Sequence, residues 1–235
     1  MKKVMKAVMW ILAAVPLLMT LFGFQALPDR IPVHFDISWR VDRWGSRYLS
    51  FLIPVMIIAF TILWSLLIRF NEKKAEKTED EKEKNSLLSN ASVIGIISIA
   101  TTAFMSVIQY VVLNTAYKSL TEDVTQMQID MNMIISVAVG ALFIVLGNYL
   151  PKTRRNGTVG FRMTWTRYND VTWAKSNRFC GITMMAAGLV IIVFAMFERG
   201  MAGSVIIMAC LGVSLAASII YAYNVYRKEI EKENE

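Results

Sequence analysis

The sequence predicts an all-α polytopic membrane protein: six transmembrane helices, both termini cytoplasmic, and a small extracellular β-like lid after the first helix. Two observations carry that fold class. Six windows, 7–27, 48–68, 85–117, 131–151, 179–197 and 200–226, contain no Asp, Glu, Lys, Arg or His. Each can hold the roughly 20 apolar residues that a helix needs to cross about 30 Å of hydrocarbon, in which only helices and closed barrels satisfy their backbone polar groups. The Lys and Arg residues then fall unequally between the connections. Lys2, Lys3 and Lys6, the second connection from Arg69 to Lys84, the fourth from Lys152 to Arg178, and the tail from Arg227 to Lys232 hold nineteen of the 25. Basic residues gather on the cytoplasmic side, which places both termini inside. A hydrophobic content of 55% and a mean hydropathy of +0.46 agree.

The first window has a basic start, but Phe24, Gln25 and Ala26 lack the small residue expected before a signal-peptide cleavage site, so it reads as an uncleaved anchor. Pro16 and Pro54 are expected to kink their helices. In the outer connection, 27–48, the odd positions from Ile31 to Val41 are apolar or aromatic, and the even ones from Pro32 to Asp42 are Pro, His, Asp, Ser, Arg and Asp. Alternation of this kind predicts an extended strand with two unlike faces. Pro32 makes it an edge strand with room for a visitor, and 124–131 is a possible partner unless those residues begin the fourth helix. Asp29, Arg30, His34, Asp36, Arg40, Asp42, Arg43 and Trp44 form the candidate recognition surface, with a purely structural lid as the alternative.

The chain divides into an N-terminal two-helix unit (1–70), a charged cytoplasmic linker (71–89), a third helix with its outer loop (90–130), a three-helix unit (131–226) and a tail (227–235). Inside the windows the polar residues are small. Ala91, Gly95, Ser98, Thr102 and Ser106, Ser136 with Gly140, Gly212 with Ala216, and Ser214 with Ser218 recur at helical spacing and are expected to let helices approach closely. Gln109 and Asn148 either bond between helices or line a cavity. The absence of charge from the windows argues against ion-coupled transport. The net charge of +7 is what the positive-inside bias supplies, so no direct nucleic-acid binding is expected. Cys180 and Cys210 lie at different membrane depths, and with a single histidine they make neither a disulfide nor a metal site; no cofactor is expected.

The fourth connection, 151–178, opens with Pro151 ending a helix and a turn at Asn156-Gly157, and Asn169 or Asp170 can cap the next helix. Asn148, Pro151, Lys152, Asn156, Arg162, Trp165, Thr166, Trp173 and Arg178 interleave basic and aromatic side chains. That composition suits lipid headgroups, or a docking platform for a cytoplasmic protein.

These two loops carry a family resemblance. Gly147-Asn148-Tyr149-Leu150-Pro151-Lys152, followed by Asn156, Gly160, Arg162, Trp165-Thr166, Trp173 and Arg178, resembles the signature of the SdpI family of bacterial membrane immunity proteins. The stretch from Leu27 to Phe35, with Asp42-Arg43-Trp44-Gly45-Ser46, looks like the uncharacterised domain that often precedes it. The chain departs from the pattern at Met163-Thr164, where Thr-Pro is common, at Ser176-Asn177, where Thr-His is common, and at Trp39, where Gly is usual. A role resting on that histidine therefore lacks its residue here. The resemblance implies resistance to a secreted antimicrobial peptide or protein toxin. It also implies a possible second task, holding a winged-helix autorepressor at the membrane. Two readings of other classes stand beside it: a small-molecule, peptide or lipid transporter, and a membrane-embedded hydrolase using His34 with Asp36, for which no serine or cysteine is placed as nucleophile.

Overall fold

The computed structural model describes residues 3–37, 40–120, 129–197 and 201–234. Its helices are α1 (Lys3–Gly23), α2 (Leu52–Lys77), α3 (Glu81–Lys118), α4 (Ile129–Tyr149), α5 (Asp170–Ala195) and α6 (Met201–Glu233), and all six are long and apolar enough to cross a membrane. Between α1 and α2 lie two strands, β1 (Arg30–Phe35) and β2 (Val41–Ser46). The helices pack as two groups. α1, α2 and α3 contact one another, α5 lies between α4 and α6, and the α3–α4 contact joins the groups. Large apolar side chains such as Phe22, Leu66, Leu189, Met208 and Val213 remain more than half exposed, as helices solvated by lipid require.

Most of the charged second connection is helical. α2 runs through its charged end to Lys77, three residues intervene, and Asp80 caps α3 by accepting a hydrogen bond from the Lys82 amide at 2.8 Å. Lys74 and Glu83, 3.0 Å apart, tie the two helix ends together. At 1.5 Å per residue α3 is about 57 Å long, so both helices project well beyond the hydrocarbon. Pro54 stands in the first turn of α2, where its missing N–H would have had no helical partner, so it starts that helix instead of kinking it.

Glycine sets the closest approach in the second group. A Cβ on Gly140 would stand 2.6 Å from the Gly188 carbonyl oxygen, and one on Gly147 would stand 2.5 Å from that of Gly181. Two glycines seven residues apart on α4 thus face two on α5. The hydroxyls of Ser214 and Ser218 meet Thr183 of α5 at 3.0 and 3.1 Å, which bears out a packing role for that pair. Gly212 and Ala216 do not behave so: they lie on the exposed side of α6, and no atom comes within 4 Å of a Cβ built on Gly212. In the first group, Gln109 of α3 donates to the Thr20 hydroxyl (2.8 Å) and the Ser50 carbonyl (3.0 Å), an interhelical bond where a cavity was the alternative.

The expected single strand over 31–42 is a hairpin. β1 pairs antiparallel with β2, Arg30 opposite Ser46 and Phe35 opposite Val41, with irregularities on either side of His34. The chain reverses because the Asp36 carboxylate accepts from the Arg40 amide (2.9 Å) while the Asp36 amide donates to the Arg40 carbonyl (2.8 Å). Pro32 is buried, and in this two-stranded sheet β1 is an edge strand, as its proline led one to expect. In the second candidate strand, 124–128 lie outside the described residues, and Ile129, Asp130 and Met131 belong to α4. The centre of the fifth connection, 198–200, also lies outside them.

Candidate functional site

The hairpin is docked by its apolar face. Leu27 and Ile31 are buried against Leu113 and Ala116 of α3, with Phe24, Val33 and Tyr117 around them. Burying a Leu or Ile side chain contributes about 1.5–3 kcal/mol, so this cluster suffices to hold a two-stranded element that would be marginal alone. Phe35, at the end of β1, packs on Val111 of α3 and Ile135 of α4, so the hairpin touches both helix groups. The Tyr117 hydroxyl donates to the Gly23 carbonyl at 2.7 Å, and the Arg47 guanidinium lies 5.1 Å from the centre of the Phe24 ring.

The opposite face of the hairpin carries charge. Asp29, Arg30, His34, Arg40, Asp42, Arg43 and Trp44 are exposed, and Asp36 is partly so. His34 Nδ1 lies 2.6 Å from Asp42 Oδ1 across the strands, and because a carboxylate only accepts, Nδ1 is the nitrogen that bears the proton. Arg30 donates to the Trp44 carbonyl at 3.4 Å, and Arg47 lies 3.7 Å from Asp29. The guanidinium groups of Arg40 and Arg43 have no partner among the described residues. The structure therefore gathers all eight expected residues on one hairpin, but at its two strands and turn instead of along one strand. Ser38 and Trp39 lie outside the described residues.

The loop between α4 and α5, at the other end of the bundle, is built from the inside out. Trp173 is 2% exposed, its indole N–H donating to the Thr153 carbonyl at 3.1 Å. Its ring lies where a Cβ on Gly160 would be, 2.7 Å away, and Gly160 has φ +127°, a conformation other residues rarely adopt. The fully buried Thr166 hydroxyl takes the Met163 amide at 2.8 Å and lies 2.9 and 3.0 Å from the Phe161 and Met163 carbonyls, donating its single proton between them. The Asn156 carboxamide accepts from the Thr158 and Val159 amides and donates to the Arg154 and Val159 carbonyls. Trp173 and Thr166, expected at a docking surface, have no accessible side chain to offer one; they hold the loop in shape.

Asn177 completes that core. Its Oδ1 accepts from the Phe161 amide at 2.7 Å and its Nδ2 donates to the Trp173 carbonyl at 3.1 Å, which gives the departure from the family histidine a structural place. Asn169 and Thr172 form a reciprocal capping box at the start of α5. Asn90 of α3, which the sequence did not single out, accepts from the Arg154 amide at 2.9 Å and donates to its carbonyl. Val159 reaches into the core made by Met9, Ile68, Ala91, Val93 and Ile94 of the first group. Each loop thus packs on the helix group that the other belongs to.

The remaining expected residues stay at the surface. Asn148, Pro151, Lys152, Arg162 and Arg178 are exposed. Lys152 lies 4.0 Å over the Tyr149 ring, and Arg162 donates to the Gly157 carbonyl. Trp165 is half-buried, its ring edge-on to Tyr223 of α6 at 6.0 Å. The tail continues α6 to Glu233, which accepts from the Tyr168 hydroxyl and pushes that phenol above its ordinary pKa.

Residues 152–222, from this loop through α5 into α6, match the SdpI/YfhL protein family. Residues 11–58, which contain the hairpin, match a domain of unknown function, DUF1648. The chain is 23% identical over 218 residues to the immunity protein SdpI of Bacillus subtilis (strain 168), an alignment covering 93% of this chain and 94% of the relative. No solved structure matches it. The chain is a multi-pass membrane protein in which a stretch matching DUF1648 is followed by one matching the SdpI/YfhL family.

Proposed function

We propose that the protein gives its cell resistance to a secreted antimicrobial peptide or protein toxin, that the hairpin faces outside with both termini in the cytoplasm, and that the hairpin is where the toxin is met. The observation that carries this reading is the pairing of near full-length similarity to an immunity protein with a hairpin whose Arg40, Arg43 and Trp44 are exposed and leave two guanidinium groups uncommitted. Arg and Trp are favoured anchors at protein interfaces, and an exposed Arg keeps its full hydrogen-bonding fork for a partner's carboxylates or carbonyls. The buried Leu27–Ile31 face fixes the hairpin's position, so that recognition needs little ordering on binding.

The finer division assigns the loop between α4 and α5 to the cytoplasm, where its exposed Lys152, Arg162 and Arg178 would meet a winged-helix autorepressor. Contact of each loop with the opposite helix group supports coupling between the ends, because a shift at one changes what the other packs on. The test is survival of a toxin-sensitive bacterium expressing the chain when challenged with a neighbour's secreted peptide toxin. Protection by the parent chain, weakened in Arg43→Ala and Trp44→Ala at equal membrane expression, is expected; absence of protection at good expression contradicts the immunity reading. For the loop, Lys152→Ala with Arg162→Ala and Arg178→Ala is expected to abolish repressor recruitment while protection survives.

A further inference from the structure

We infer that the groove between α5 and α6 at the loop end binds the headgroup of an anionic phospholipid. Lys175 of α5 and Lys228 and Lys232 of α6 line a groove of about 320 Å³, together with Glu229 and, toward the apolar part of α6, Tyr221 and Val225. The Lys175 and Lys232 ammonium groups lie 3.6 and 3.2 Å from the Glu229 carboxylate, whose side chain is only 12% exposed. One partly covered carboxylate thereby holds two lysines convergent, while Lys228 has no ion-pair partner among the described residues. Three ammonium groups against one carboxylate leave the groove a net charge of +2.

Its depth identifies the class of ligand. α6 carries no charged residue from Met201 to Tyr226, a length of about 39 Å against about 30 Å of hydrocarbon. The last apolar turn therefore reaches the interface, and Lys228 and Lys232 stand in the headgroup band. Tyr221, stacked on Phe179 of α5 at 4.1 Å, and the buried Val225 form an apolar floor on the membrane side of the charges. A groove with cations at headgroup level and an apolar floor beneath them suits a phosphodiester that continues into acyl chain; an acidic peptide would use the cations and leave the floor unused. Basic pockets between transmembrane helices bind anionic headgroups on this principle. The site is independent of the toxin reading: the groove lies at the opposite end from the hairpin.

The experiment is a titration of the purified full-length chain in detergent with phosphatidylglycerol or phosphatidylcholine, read by native mass spectrometry. Phosphatidylglycerol is expected to bind at least roughly fivefold more tightly, and each lysine removed is expected to weaken it by roughly fivefold. Lys175→Ala with Lys228→Ala and Lys232→Ala is expected to abolish the preference. Lys73→Ala with Lys77→Ala and Lys82→Ala, which removes equal charge from the α2–α3 end, keeps it, and so does replacement of the three groove lysines by Arg, which guards against loss through misfolding. Equal binding of the two lipids, or equal losses in the two alanine triples, overturns the inference. So does competition by inorganic phosphate at the lipid's own concentration, which marks a free-anion site, or by hexaglutamate, which marks an acidic-peptide site.

Discussion

The hairpin and the loop between α4 and α5 solve the same problem, fixing a short irregular segment on the end of a helix bundle, in opposite ways. The hairpin buries one apolar face and leaves its charged residues outside, joined by surface pairs such as His34–Asp42, with side chains 58% and 46% exposed. The loop turns its polar and aromatic chemistry inward: Trp173, Thr166 and Asn177 are buried and bond to the backbone of the loop and of the helix that follows it. The lesson is that an interleaving of Trp, Asn and Arg has two meanings. On the hairpin such residues remain available to a partner, whereas in the loop Trp173 and Asn177 are the core of a small folded unit and the arginines stay at its surface.

The contrast breaks most visibly at Trp173. Trp173→Ala removes a buried ring and the bond to Thr153, and is expected to cost about 3–5 kcal/mol in reversible unfolding of the detergent-solubilised chain. Full stability in that variant would return Trp173 to the surface. Next comes the glycine contact: Gly140→Val forces a side chain against the Gly188 carbonyl and is expected to destabilise by about 1–3 kcal/mol, measured the same way. Thr166→Val and Asn177→Ala leave the Met163 and Phe161 amides without their acceptors, for about 1–3 kcal/mol each; faster deuterium exchange should appear at those amides. At the hairpin the effects on stability shrink. His34→Ala loses an exposed pair worth at most about 1 kcal/mol. Arg43→Ala is expected to shift stability by less than about 0.5 kcal/mol while lowering toxin protection, a separation that no loop-core variant should reproduce.

The helices were legible because hydrocarbon imposes a long, charge-free window on each span, a signal that no local choice of residues can mimic. The hairpin was half legible. Alternation announced extended chain from Ile31 onward, but the reversal rests on one carboxylate, Asp36 reaching the Arg40 amide, and an Asp at an even position fits an unbroken strand equally well. The loop was the least legible part. Its signature residues were all in view, yet their burial depends on Gly160 adopting a positive φ and on Asn90 arriving from α3, sixty-four residues before the Arg154 it holds. The glycine pairs were half legible: Gly140 was expected at a close helix approach, but its partner Gly188, and the second pair of Gly147 with Gly181, appear only when α5 is set against α4. The one signal that was available was Asn90 itself, one of four carboxamides in an uncharged window, with Asn85, Gln109 and Asn114.

The central claim, a hairpin that faces outside and meets the toxin there, is tested most directly by labelling Arg43→Cys in intact cells with a membrane-impermeant maleimide, with and without toxin, in a chain whose Cys180 and Cys210 are replaced by Ala. The account predicts labelling without lysis and its slowing when toxin is added. Labelling that appears only after the cells are broken would contradict it.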